Sequence, residues 1–220
     1  KLGQVQRSMA SVCLYIGLQD TAENLALPKT NFWIYPGADY RGQVENFLAA
    51  PDSHDIPLTY ISFPSAKDPS FAERYPGRAT IEIVAPGPFE WYQDWADQPW
   101  GKRGEDYEAK KDAYAQRLLE KLYEKMPHLR GKVDYYELST PLSTDYFCRY
   151  STGEIYGLDH TPERFEQDWL KPKTRLPGLY LTGQDIMTCG VVGAMIGGLL
   201  TTVAVSGLKG LPLAKKMFVG

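Results

Sequence analysis

Residues 179–207 read LYLTGQDIMTCGVVGAMIGGLLTTVAVSG, and most of the chemistry open to this chain lies there. A β-like run, Gly178 to Thr182, stops at Gly183-Gln184-Asp185, and an apolar segment dotted with glycine follows. Strand, turn and helix in that order present the free N–H groups of a helix start to a phosphate or to the anionic edge of a ring. Several glycines near the helix start suggest that something comes very close to the backbone. Asp185, just ahead of the apolar segment, can be read as a helix N-cap. The loop Gly153-Glu154-Ile155-Tyr156-Gly157 can be read as an ordinary turn.

The same stretch can be read as a membrane span. From Ile186 to Leu208 there is no charged residue, Gly193 and Gly197 form a GxxxG, and Lys209, Lys215 and Lys216 follow. Against a span stand the dilution by glycine and threonine, Asp185 where the anchor would begin, and no aromatic belt at either end. A plain buried helix is the third reading. Glycine costs about 1 kcal/mol in a helix, so several together imply a close approach to the backbone, and the ligand-contacting helix is the reading taken.

Little else in the chain carries chemistry. His54, His128 and His160 share no metal-ligand spacing and read as surface or loop residues, with His160 near the candidate site as the exception to consider. No GxSxG elbow, Walker loop or CxxC occurs, so no metal site or catalytic nucleophile is assigned. Cys13, Cys148 and Cys189 are three and far apart, which fits free thiols in a reducing compartment. A net charge of −3 without a basic stripe excludes a nucleic-acid partner from the reading.

The elements that must hold this segment are legible upstream. Alternation predicts strands at 11–18, 31–35, 58–63, 79–85 and 132–139, separated by Pro, Gly and Asp turns. Tyr107, Tyr114, Leu118, Leu122 and Met126 recur at helical spacing over 105–126, with Lys and Glu between them and Pro127 after. Residues 140–177 read as loop. Phe89, Trp91, Tyr92, Trp95 and Trp100 either pack under the long helix or line an apolar tunnel. The layout is α+β, with a terminal β-turn-α unit.

Several stretches together resemble the flavin-dependent oxidoreductases of the phytoene desaturase, carotenoid isomerase and retinol saturase group. They are LPGLYLTGQDIMTCGVVGAMIGGLLTTVAVSG, STPLSTDYFCRYSTGEIYGLDHTPERF, PSAKDPSFAERYPGRATIEI and WYQDWADQPWGKRGEDYEAKK. The resemblance implies a partial FAD-binding flavoprotein fold with a mixed or antiparallel substrate-domain sheet. Residues 1–150 would be substrate-domain-like, 151–208 the C-terminal FAD-contacting segment and 209–220 a tail. It implies that Gly183 and Asp185 lie near the ribityl–pyrophosphate part of FAD. The helix start, at Gly190, Val192, Gly193 and Ala194, would face the pyrimidine edge, with Tyr156 passing the ring.

The implied reaction is hydride transfer between flavin and an apolar, lipid-like polyene of carotenoid or retinoid type. No GxGxxG occurs in the 220 residues. The chain therefore reads as the C-terminal portion of a longer protein whose N-terminal part binds the ADP half of FAD; on its own it would be inactive with a partial site. A cytoplasmic or membrane-peripheral location is expected. The alternatives are a non-catalytic interaction module and a membrane-anchored protein using 186–208 as a span.

Overall fold

The computed structural model describes residues 3, 5–210, 212, 215 and 216, so most of the 209–220 tail lies outside the described residues. The chain divides into two compact units, Ala10–Gly153 and, separately, Lys1–Met9 with Glu154–Gly220.

The larger unit is organised by the strand β1, Ser11–Leu18. Its alternation puts Val12, Leu14, Ile16 and Leu18 in the core and leaves Tyr15 outside. β1 pairs antiparallel with β4 (Ala79–Pro86) on one side and with β5 (Val133–Ser139) on the other. β2 (Phe32–Ile34) and β3 (Thr59–Ser62) extend the sheet in the order β2-β3-β4-β1-β5, and all its pairings are antiparallel. The register sets Leu14 opposite Ile83 and Leu138, so the apolar side chains of neighbouring strands share one face.

Among the described residues three α-helices precede the long one: α1 (Tyr40–Ala49), α2 (Pro64–Lys67) and α3 (Phe71–Arg74). The long helix, α4 (Glu105–Lys125), adds Tyr107, Tyr114, Leu118 and Leu122 to the same buried cluster as the sheet residues. Two hydroxyls fix its seat. Tyr114 donates to the Pro86 carbonyl at 2.8 Å, and Tyr107 bonds the Thr140 hydroxyl at 2.7 Å. Thr140 also caps α5 (Pro141–Cys148) through a capping box with Ser143.

The aromatic group resolves mostly as packing. Trp91 meets Phe47 and Tyr114, Trp95 meets Tyr107, and Phe89 and Tyr92 join the same cluster. Trp100 instead lies exposed and stacks on Tyr146 at 5.4 Å. A cavity of about 360 Å³ opens against Trp91 and Tyr92, but Lys110 and Arg117 share its lining, so it is no apolar tunnel.

Three sequence expectations are corrected. The stretch 140–177 contains two helices, α5 and α6 (Pro162–Phe165). α1 was not expected: Asp39 caps it, but Phe47 alone among its residues is buried, so it has almost no apolar period to read. Residues 178–182 do not form a strand. Tyr180 makes an isolated bridge to Lys173, and among the described residues no strand ladder stands beside it in the smaller unit. The apolar helix expected after the Gly183–Asp185 turn, α7 (Gly190–Ser206), is present.

If β1 and α4 define the main core, Leu118→Ala, at a site with 0% exposure, lowers unfolding free energy by about 2–5 kcal/mol. Leu176→Ala, at an exposed site, leaves it within about 0.5 kcal/mol. Urea denaturation of the two variants checks this.

Candidate functional site

The smaller unit is built around the seating of α7 on the turn before it. A 3-10 turn, Gln184–Ile186, leads through Thr188 to the N-cap Cys189. Gly193 and Gly197 are the buried residues of α7. A Cβ on Gly193 would run into the Thr188 carbonyl, and one on Gly197 into the carbonyl of Gly183. One turn further along, the Thr201 hydroxyl lies 2.7 Å from the Leu181 carbonyl oxygen. Positions 193, 197 and 201 share one helical face, so that face lies directly on the 181–188 backbone.

At Gly193 the space that a Cβ would need is taken by Thr188 of its own unit. Gly190 differs: it has φ +85° and open space where a side chain would project. Gly183 also has open space there, while its carbonyl faces Gly197. Gly183 thus sits seven residues, about 10 Å, along α7 from the helix start.

The loop carrying Tyr156 docks on the same turn. Asp185 Oδ1 accepts the Leu158 N–H at 2.9 Å, and the carboxylate fills the space that a Cβ on Gly157 would need. Gln184 Nε2 donates to the Ile155 carbonyl at 2.9 Å. Asp185 is therefore not the helix N-cap; that position is Cys189. Tyr156 is exposed. A second tie comes from the N-terminal residues, where Ser8 N–H donates to Gly157 O and Asp159 N–H to Gln6 O, each at 2.8 Å. Arg7 pairs with the buried Glu154.

Two residues complete the arrangement, and one of them was missed from sequence. Arg164 is 2% exposed, yet no described carboxylate pairs with it. Its Nη1 donates to Leu158 O, and its Nη2 faces the carbonyls of Gln184, Asp185 and Met187 at 2.9–3.2 Å. One guanidinium thereby clips the 158 loop to the turn below α7. Only burial distinguishes this arginine from a surface one, and sequence pattern does not carry that. His160 stands at the helix start, where its Nε2 accepts the Cys189 N–H at 2.8 Å.

The first turn of α7 is left open by all this. It has no side-chain cap and no acidic residue, and Gly190, Val191 and Val192 are exposed, Val191 at 85%. Ala194 is partly covered. Free N–H groups and the positive end of the dipole there attract negative charge. On its outer side α7 also exposes Met195, Leu200 and Val205. The helix spans 17 residues, and among the described residues no helix is long and apolar enough to cross a membrane.

The cysteines are free. Burial pushes the Cys13 thiol up to about 11 and the neighbouring Tyr15 hydroxyl up to about 12, so neither is ionised at neutral pH.

No protein-family model matches the chain. Over 211 residues, 93% of its length, it is 36% identical to all-trans-retinol 13,14-reductases of Macaca fascicularis and Homo sapiens, covering 35% of each. A Danio rerio protein named inactive all-trans-retinol 13,14-reductase is 31% identical over 85% of the chain and 32% of its own length. The chain thus spans about a third of the length of the curated relatives it matches, and its resemblance to the retinol saturase group extends over nearly all of it.

Neighbouring glycines of α7 separate the packing role from simple helix propensity. Gly197→Ala forces the Gly183 carbonyl away and weakens amide-exchange protection over 190–206. Gly198→Ala, with open space at its Cβ, raises that protection by up to about 1 kcal/mol.

Proposed function

We propose that this chain, a partial relative of the retinol saturase group, supplies the flavin-side helix and part of the substrate region of an FAD-dependent oxidoreductase acting on a C=C bond of an apolar polyene. One observation carries the reading. The first turn of α7 is uncapped, free of acids and exposed, while its inner face is spent on the 181–188 turn. Such a helix start is rigidly aimed and suits the negative charge that develops at a flavin's pyrimidine edge on reduction.

The residues present fit the group. Gly190, Val192, Gly193 and Ala194 would offer their backbone to the pyrimidine edge. Gly183 and Asp185 would face the ribityl chain, with Asp185 contributing its second carboxylate oxygen because the first holds Leu158 N–H. Tyr156, exposed on the loop that Asp185 and Gln184 anchor, would pass the ring. When bound, the flavin supplies the hydride acceptor or donor. The protein's part is orientation: Arg164 and His160 hold the turn and the loop against the helix start, and the exposed apolar residues of α7 keep its surroundings dry once covered.

The ADP half of FAD requires a dinucleotide-binding part, supplied by further polypeptide of the same protein. The relatives' names point to retinoids as the polyene class. The rival reading is a non-catalytic member of the same group, favoured by the relative named inactive.

A charge placed in the first turn tests the assignment. In the protein with its dinucleotide-binding part, Val192→Glu lowers the flavin reduction potential by about 10–40 mV without loss of fold, since a carboxylate there opposes the anionic reduced state. An unchanged potential in a flavin-loaded variant means the ring lies elsewhere. Retention of flavin without turnover of any retinoid favours the non-catalytic reading.

A further inference from the structure

Lys110, Ala113, Tyr114 and Arg117 recur at helical spacing along α4 and so share one face. That face lines the cavity of about 360 Å³ that Trp91 and Tyr92 also wall. All of these residues belong to Ala10–Gly153. Ala113 is exposed and carries only a methyl group, so space is left between the two cations. A concavity of this size, with aromatic walls and a few placed polar groups, suits a small organic molecule.

The two cations are held by carbonyls and rings rather than by carboxylates. Lys110 donates to the Trp91 carbonyl and lies 5.5 Å and 5.4 Å from the Tyr92 and Trp95 ring centroids. Arg117 donates to the Pro51 and His54 carbonyls at 2.7 and 2.6 Å, with the Phe47 and Tyr114 rings beside it. Elsewhere on α4, Glu108 and Glu137 neutralise Lys111, and Asp55 and Glu124 neutralise Lys121. Among the described residues no carboxylate lies within ion-pair distance of Lys110 or Arg117. Asp52 also lines the cavity, but it is exposed and pairs with neither. Carbonyl contacts fix where a cation points without cancelling its charge, and each side chain keeps N–H groups beyond those it spends on them. The Tyr114 hydroxyl is spent on Pro86, so that wall offers its ring.

We propose that this cavity binds a small organic anion, a carboxylate on a flat apolar body. The acid group meets Lys110, which is exposed and has one carbonyl partner, while the body lies over Ala113 against Trp91 and Tyr92. Arg117 adds positive field from the next turns of the helix. The site does not rest on the flavin reading.

The test is a calorimetric titration of the protein with its dinucleotide-binding part, using 2-naphthoate as probe and 2-naphthylmethanol as its uncharged counterpart. FAD is kept in excess, so that a flavin site is not what the probe finds. The native protein binds 2-naphthoate saturably, and the alcohol at least about tenfold more weakly. Lys110→Met weakens the acid about tenfold and leaves the alcohol nearly unchanged. Ala113→Phe, which fills the space between the cations, abolishes binding of both. Both substitutions are at exposed positions of α4, and Lys110→Met carries the test alone if Ala113→Phe does not fold. No saturable heat with the acid, equal affinity for acid and alcohol, or an affinity unchanged in both variants would each overturn the site.

Discussion

Close contact between a helix and the backbone turn before it governs the smaller unit. Gly193 and Gly197 let α7 rest directly on the carbonyls of Thr188 and Gly183. Any side chain at either position would push the helix off, so its axis, and hence the direction of its first turn, follows from two absent methyl groups. Arg164 then prevents the turn from relaxing by holding several of its carbonyls at once. The open helix start is a consequence of this packing: the inner face is occupied, and what remains for a ligand is the N-terminal edge and the outer apolar side.

The two units satisfy their polar groups in different ways. In the smaller one a guanidinium bonds loop carbonyls that no described strand satisfies. In the larger one the five-stranded sheet satisfies its own backbone, and α4 is seated by apolar packing and by the hydroxyls of Tyr107 and Tyr114.

Much of the larger unit was legible because its signals are periodic. Val12, Leu14, Ile16 and Leu18 announce β1, and the Tyr107–Leu122 spacing announces α4. α1 escaped because a helix burying only Phe47 leaves no stripe. α5 escaped although Thr140-Pro141 is a sound helix start, since eight residues give the period little room. The run at 178–182 has strand composition without a neighbouring ladder, and composition does not report a missing partner. At the candidate site, the glycines were visible but their purpose was not. Whether a Cβ would meet a ligand or the protein's own carbonyl is a tertiary fact, as is the burial of Arg164.

The likeness to retinol saturase relatives covers nearly the whole chain but only a third of theirs, so the cofactor is where the account stands or falls. The decisive measurement is the visible absorption spectrum of the protein purified together with its dinucleotide-binding part. The account predicts a bound-flavin spectrum that shifts when Val192 is changed. A folded, colourless protein that stays colourless after incubation with FAD would contradict it and leave α7 as a helix whose open end serves some other contact.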